Sequence, residues 1–157
     1  MARKIWTEQK IAERIKNGYG EGAGVNYKPW LEITDFSSQG RSRRVWSNKT
    51  GRTHHCFSDV EFDIFLYCDW SRRVLDIREQ FPLDRELTQT IAQKLKLRHP
   101  YYPGTNVPTV MTVDFLLVVN GINGEEYIAL NAKRDEEAED VNSLQKLEIQ
   151  RSYFEEI

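Results

Sequence analysis

Cysteine and proline are scarce in this chain, and long apolar runs do not occur in it. The 157 residues include two cysteines and five prolines. Cys56 and Cys68 are too few for a metal cluster and too far apart in sequence, so we expect them to pack as small apolar side chains. The sequence lacks an apolar stretch of transmembrane length and an N-terminal signal segment. These absences predict a cytoplasmic protein, and the length predicts one domain.

Acidic residues are also missing between Phe36 and Ser58, although the whole chain has a formal net charge of -2. Clustered positive charge attracts the phosphates of DNA. His54 and His55 are adjacent rather than spaced as zinc ligands, so phosphate contacts are favoured over metal binding for them. A solvated basic hairpin is the alternative. The residues predicted to bind DNA are Arg41, Arg43, Arg44, Lys49, Arg52, His54 and His55.

Hydrophobic periodicity predicts an α/β order of elements. Helices are predicted over residues 7–17, 58–68, 84–97 and 141–154, and strands over 43–47, 52–57, 74–81, 113–119 and 127–130. The last helix is predicted to turn Leu144, Leu147 and Tyr153 inward. The two final strands form a hairpin around residues 120–124, so the polar residues at their open ends should meet.

A catalytic hypothesis arises at those open ends. Asp114 begins one strand of the hairpin, and Asn131 and Lys133 follow the other. Because side chains alternate across a strand, Asn131 and Lys133 share a face. An acid beside a polar residue and a lysine is a common arrangement in metal-dependent nucleases. The alternative is ordinary strand-end residues with a solvated lysine.

Glu61 supplies a second candidate carboxylate. It lies on the helical stripe that continues through Phe65 and Cys68, which would direct it toward the core. A carboxylate in that position needs a cation or a proton, and Mg²⁺ binds a few carboxylate oxygens together with water. The competing interpretation is a capping box, since Ser58 and Glu61 have the Ser-x-x-Glu spacing of a helix start.

Four runs of the sequence resemble the TnsA family, the endonuclease subunits of heteromeric transposases. They are residues 38–44 (SQGRSRR), 49–55 (KTGRTHH), 58–61 (SDVE) and 74–83 (VLDIREQFPL). The likeness extends from about residue 11 to residue 154 with order and spacing kept. It implies a restriction-endonuclease-like core, with a mixed central sheet flanked by helices and an N-terminal helical and hairpin extension.

The resemblance also implies functional residues. It places the catalytic residues at Glu61, Asp114 and Lys133, and the metal ligands at Glu61, Asp114 and Asn131. The implied cofactor is Mg²⁺, for which Mn²⁺ can substitute, with two ions bound. Asn131 departs from the glutamine common in the family and is one methylene shorter. Glu148 matches an acidic position, whereas Gln150 stands where a relative has glutamate.

Partners follow from the same resemblance. It implies cleavage of DNA at the 5′ ends of a transposon, on the non-transferred strand, beside a DDE transposase of the TnsB kind. An ATP-dependent regulator of the TnsC kind would bind a C-terminal region. Residues 1–157 would then be one catalytic domain, truncated before its last core strand and a C-terminal helical domain, and associated with the nucleoid when bound to DNA.

Three other interpretations stay open. A junction resolvase or restriction enzyme would share Glu61, Asp114 and Lys133 but not the long matching runs outside them. A non-catalytic DNA-binding or assembly subunit would have a broken site, and Asn131 is the one change that points that way. A plain α/β domain would explain the strands but not the spacing of the charged residues.

Overall fold

The computed structural model describes residues 5–36, 42–132 and 140–157. The α-helices in these ranges are α1 (Glu8–Lys16), α2 (Asp59–Trp70), α3 (Arg85–Leu95) and α4 (Val141–Glu156), and the strands are β1 (Arg43–Ser47), β2 (Arg52–Cys56), β3 (Val74–Pro82), β4 (Thr112–Gly121) and β5 (Gly124–Leu130). Each predicted helix and strand is present, with ends shifted by a few residues at most. The predicted α/β order is confirmed.

Each of these helices begins at a residue whose side-chain oxygen accepts a hydrogen bond from a main-chain N–H of the first turn. Such N-caps satisfy donors that the helix leaves unpaired, which is why helices start at short polar residues. The capping residues are Thr7, Ser58, Asp84 and Asp140. Local sequence therefore determines where the helices begin.

The strands form two antiparallel sheets within the described residues. β1 and β2 make a hairpin, and β3, β4 and β5 make a sheet with β4 in the centre. Leu117 of β4 pairs with Ile77 on one side and Ile128 on the other. The central strand is apolar because both of its faces are covered.

Two hydrophobic cores cover these faces. One core joins α2 to the sheet and includes Phe65, Phe115 and Leu117. The other joins α3 and α4 to the sheet and includes Leu116 and Ile149. Because neighbours in a strand point to opposite faces, Leu116 and Leu117 place the two cores on opposite sides of the sheet.

The inward face of α4 differs from the prediction. Ile149 and Tyr153 are buried, whereas Leu144 is 49% exposed. Residues in an α-helix are separated by about 100° around the axis, so Leu144 lies roughly 140° from Ile149. The prediction that Leu144 packs inward is wrong, because the core contacts follow the stripe through Ile149.

The N-terminal segment packs on the loop that precedes β4. Ile11 of α1, Trp30 and Val110 form a third buried cluster. Trp6 stacks on Tyr102 with ring centroids 5.0 Å apart. In the described parts of the chain, each helix is too short or too polar to cross a lipid bilayer.

Candidate active site

Glu61 lies in the first turn of α2 with its carboxylate in the interior. The residue is 6% exposed. Ser58 Oγ accepts from the Glu61 N–H at 3.1 Å and donates to Glu61 Oε2 at 3.1 Å. The other carboxylate oxygen, Oε1, accepts from Gln80 Nε2 at 3.1 Å. Ser58 thus caps the helix, which is one half of a capping box, while the Glu61 carboxylate accepts from the Ser58 hydroxyl and from Gln80 of the sheet.

Asp114 lies on β4 at the open end of the β4–β5 hairpin. The last paired residues there are Phe115 and Leu130, so the next position on each strand brings Asp114 to Asn131. The Asp114 N–H donates to Asn131 Oδ1 at 3.3 Å, and Asp114 Oδ2 accepts from the Ala132 N–H at 2.7 Å. The hairpin therefore brings the acid and the amide together, as the alternation of side chains predicts.

The charge of Asp114 acts on Glu61. Burial, and after it the negative charge of Asp114, raise the pKa of Glu61 to about 7, against hydrogen bonds that favour the ionised form. Carboxylates on a helix and on a strand thus share one electrostatic environment. A buried carboxylate whose pKa is raised by burial and by a nearby charge is typical of functional sites.

The donor set suits magnesium. Groups of three or more His, Cys, Asp or Glu at metal-binding spacing are absent from the described residues. Mg²⁺ needs only one or two protein carboxylates because it retains several waters. A divalent cation would also offset the repulsion that raises the Glu61 pKa. Glu61 and Asp114 therefore fit the predicted metal, with amide and main-chain oxygens nearby.

The structure describes some, but not all, of the other residues named for the site. Asn131 Oδ1 accepts from Asp114, and its amide nitrogen donates to Gln150 Oε1 at 2.6 Å, so its metal contact stays a prediction. Lys133 lies outside the described residues, and its catalytic role stays a prediction. Glu148 pairs with Arg151 on the surface of α4 at 2.6 Å.

Buried polar side chains that the sequence predictions missed connect these groups. Gln80 Oε1 accepts from Thr112 Oγ1 at 3.3 Å, and Gln150 Nε2 donates to the Thr112 carbonyl oxygen at 2.9 Å. Gln80 and Gln150 are both buried. The sequence gives no clear signal for them, because Gln80 follows a charged residue and Gln150 precedes one. Their burial becomes visible only with their partners, since a buried amide needs partners for its donor and acceptor atoms.

The basic hairpin is not a uniform DNA-binding surface. Arg52 is 8% exposed and His54 is fully buried. Arg52 Nη2 donates to Glu79 Oε1 at 2.5 Å, and His54 Nδ1 contacts the same oxygen at 3.1 Å. DNA binding by Arg52 and His54 stays a prediction that this structure does not support, because both side chains pair with a buried carboxylate.

The other predicted DNA-binding residues differ from one another in their contacts and in their exposure. Lys49 Nζ donates to the carbonyl oxygens of Cys68 and Ser71 near the end of α2, at 2.9 and 2.5 Å. His55 Nδ1 accepts from the Ile33 N–H at 3.0 Å, and burial lowers the pKa of its ring. Arg43 and Arg44 are exposed, and Arg43 also pairs with Asp59 at 3.2 Å. Arg41 lies outside the described residues.

We expect Arg52→Met to destabilise the protein by about 3 kcal/mol, because it leaves the negative charge of Glu79 buried without its arginine partner. Burial alone would raise the pKa of Glu79, but hydrogen bonds from His54 and Arg52 lower it from 4.5 to about 2. The stabilisation is therefore present above about pH 4.5 and lost as the pH falls toward 2. Urea denaturation at several pH values measures both effects.

The matched control is Arg44→Met, which removes an exposed arginine of the same hairpin. Its expected effect is within about 0.5 kcal/mol, as for most surface positions. A loss for Arg52→Met no larger than that of the control would contradict the structural role of the Arg52–Glu79 pair.

Comparison with known proteins gives two agreeing results. The sequence model of the family described as "TnsA-like endonuclease N terminal" matches residues 71–157, which include Asp114, Asn131 and Gln150. A relative, "Transposon Tn7 transposition protein TnsA" of Escherichia coli, is 42% identical over 155 residues. That alignment covers 99% of this chain and 56% of the relative, so the chain spans little more than half of the relative's length.

The matched family agrees with the resemblance found in the four sequence runs. The α/β architecture, with antiparallel sheets between helices, is consistent with the restriction-endonuclease-like domain that the resemblance implies. More than half of the chain lies within the family match, and the identity to the relative extends along nearly all of it. The chain belongs to the TnsA-like endonuclease N-terminal family.

Proposed function

We propose that this chain carries the active site of a metal-dependent DNA endonuclease that acts in transposition. The observation that carries the proposal is the convergence of Glu61 and Asp114. Glu61 on α2 accepts from Gln80 at 3.1 Å, and Gln80 on β3 and Asp114 on β4 lie between the same two residue pairs of the sheet. Family membership supports the same reaction, since the matched family is described as an endonuclease. The Escherichia coli relative is described as a transposition protein.

The residue roles follow from charge. Glu61 and Asp114 would hold Mg²⁺, or Mn²⁺ in its place, with Asn131 as a further oxygen donor and two ions as the predicted number. When bound, the metal stabilises charge on the scissile phosphate and lowers the pKa of the attacking water. Lys133 orients the water or neutralises the phosphate.

Water rather than a side chain is the proposed nucleophile. Both cysteines are buried, and burial raises the pKa of Cys56 to about 12. A thiol with so high a pKa is a poor nucleophile at neutral pH. Attack of water on the phosphorus with the 3′ oxygen as the leaving group then gives 5′ phosphate and 3′ hydroxyl ends.

The proposed setting is a heteromeric transposase. The substrate is the transposon end, cut on the 5′ side, while a TnsB-like DDE transposase cuts the 3′ side. A TnsC-like ATP-dependent regulator is the proposed third component. The assignment of residues 1–157 to one catalytic domain remains a prediction.

The test is the chemistry of the cut ends. End-containing DNA, labelled on each strand, is incubated with the transposase and a full-length version of this protein in Mg²⁺ or in EDTA. We expect cutting at the 5′ ends only in Mg²⁺, with 5′ phosphate and 3′ hydroxyl termini. Cleavage that persists in EDTA, or a covalent protein–DNA adduct, would contradict the proposal.

Arg43 and Arg44 are proposed to contact the DNA backbone. Each neutralised phosphate contributes about 0.9 to the slope of log affinity against log salt. Replacing both residues by glutamine should reduce that slope by up to about 2 and weaken binding to all sequences alike. Lys94→Gln, at an exposed lysine paired with Glu156, is the control. An unchanged slope in the double variant would remove these arginines from the interface.

A further inference from the structure

Gln80 has an unusual backbone conformation for a buried strand residue. It is 6% exposed and has a φ of +45° within β3. Lys96 is the other non-glycine residue with positive φ in the described ranges, and it occupies the ordinary left-handed position at the end of α3. Such strain in a buried strand persists only where the surrounding contacts enforce it.

The conformation of Gln80 coincides with a change of face in the sheet. Ile77 and Phe115 pack in the core beside α2, whereas Phe81 and Val113 pack with the core of α3 and α4. Ile77 and Phe81 are an even number of residues apart on β3, as are Val113 and Phe115 on β4. Regular alternation of side chains would therefore place both members of each pair on the same face of the sheet. The switch falls at Gln80 on β3 and at Asp114 on β4, which occupy the positions between the paired residues.

The main chain of Gln80 is hydrogen-bonded to the N-terminal segment. Its carbonyl oxygen accepts from the Trp30 N–H at 3.1 Å. The Tyr27 hydroxyl donates to the preceding carbonyl oxygen, that of Glu79, at 2.8 Å and lies 3.3 Å from the Gln80 carbonyl oxygen. Both Tyr27 and Trp30 are buried. These contacts hold the strained residue at the point where the strand changes face.

Both polar atoms of the Gln80 amide form hydrogen bonds. Nε2 donates to Glu61 Oε1 at 3.1 Å, and Oε1 accepts from Thr112 Oγ1 at 3.3 Å. A glutamate at this position would add a second buried negative charge beside Glu61, and a hydrocarbon would leave polar atoms unpaired. An amide orients the Glu61 carboxylate without adding charge.

The contacts continue to the main chain of Asp114. Gln150 Nε2 donates to the Thr112 carbonyl oxygen at 2.9 Å, and Gln150 Oε1 accepts from Asn131 at 2.6 Å. Asn131 Oδ1 in turn accepts from the Asp114 N–H at 3.3 Å. The three amide side chains thus connect the Glu61 carboxylate to the Asp114 main chain through Thr112, which donates by its hydroxyl and accepts at its carbonyl oxygen.

We propose that Gln80 is a positioning residue that fixes the Glu61 carboxylate for a divalent cation shared with Asp114. This inference rests on the proposed function. It also assigns a purpose to the N-terminal extension, whose Tyr27 and Trp30 hold the strained Gln80 main chain in place. Partners that orient metal ligands commonly change metal affinity or activity by about 10- to 100-fold when they are removed.

The experiment measures Mn²⁺ binding to the 157-residue chain by calorimetry and electron paramagnetic resonance. Gln80→Met keeps the length of the side chain but removes its hydrogen bonds. We expect the Kd for Mn²⁺ to rise about 10-fold or more. In the full-length protein with its transposase, kcat should fall while KM for DNA stays unchanged. Thr88→Val is the control, since it breaks a buried hydrogen bond to His99 away from the site.

A second variant covers the case in which Gln80→Met does not fold. Asparagine tolerates the left-handed region better than glutamine does, and it is one methylene too short to hold Glu61 in the same way. Gln80→Asn should therefore fold and still bind Mn²⁺ about 10-fold more weakly or worse. Loss of affinity in folded Gln80 variants, with Thr88→Val unchanged, supports the inference.

Two outcomes would overturn it and can be told apart. If the unaltered chain binds Mn²⁺ and the Gln80 variants bind it equally well, or if Thr88→Val weakens binding as much, Gln80 has no positioning role and the proposed function stands. If the unaltered chain does not bind Mn²⁺ and the full-length protein does not cut with its transposase, both proposals fail together.

Discussion

Asp114→Asn is expected to abolish DNA cleavage while the protein keeps its fold. Asparagine has the size of aspartate and retains an oxygen that can accept from the Ala132 N–H. What the substitution removes is the charge that would hold the metal beside Glu61. Loss of a residue that only orients a ligand already costs about 10- to 100-fold in activity, so removal of a ligand charge should cost at least about 100-fold. The assay is strand-specific cleavage in Mg²⁺ with the transposase present.

The same variant should not lose stability without metal. Part of the rise in the Glu61 pKa comes from Asp114, so removing that charge lowers the pKa of Glu61. A raised carboxylate pKa reduces stability as the pH climbs through the interval from its ordinary value of 4.5 to about 7. In EDTA near pH 8 the free energy of unfolding should therefore be equal or higher in Asp114→Asn, whereas near pH 4 the two proteins should agree.

Asp63→Asn is the matched control for this experiment. Asp63 is an exposed aspartate on α2, the same helix that carries Glu61. Its replacement should leave cleavage at the parent rate. Parent-rate cleavage by Asp114→Asn would instead show that the endonuclease assignment is wrong.

Local signals were enough to predict most of the fold. Ser58 and Asp84 cap helices because short polar side chains satisfy the first main-chain donors, and the apolar run of β4 reads directly as a buried strand. The approach of Asp114 to Asn131 follows from a two-strand hairpin and side-chain alternation. These features depend on residues close together in sequence, where periodicity is informative.

Other features depend on contacts that sequence patterns do not encode. Arg52 and His54 look like their basic neighbours, and their burial is determined by Glu79, which is more than 20 residues away in sequence. The positive φ of Gln80 reflects a change of face in two strands at once. The sequence of a basic hairpin does not show which of its side chains pair with a buried acid, because that depends on the position of β3.

The burial of Arg52 and His54 bears on the proposed binding of DNA. The formal net charge of the chain is -2, and two members of the basic cluster are used internally. Affinity for DNA independent of sequence comes mainly from neutralised phosphates. Fewer exposed basic side chains on the hairpin imply weak binding to DNA by this chain alone.

We therefore expect the isolated chain to cleave transposon-end DNA little or not at all in Mg²⁺. A full-length version with the cognate DDE transposase should cut at the 5′ ends. The transposase would hold the end beside the active site, and such tethering raises apparent affinity by about 10²- to 10⁴-fold without any new contact at the site. Separate labels on the two strands would measure cutting with and without the transposase.

A transposase altered only in its own catalytic acids is the informative control. It still delivers the DNA end, so 5′ cutting should persist while 3′ cutting stops. If delivery is what limits the reaction, raising the salt concentration should slow cutting by the isolated chain more than cutting in the assembly, because the chain alone depends on its few phosphate contacts. Vigorous, sequence-specific cutting by the isolated chain would contradict this expectation and would favour a self-sufficient restriction enzyme, since recognition would then reside within these 157 residues.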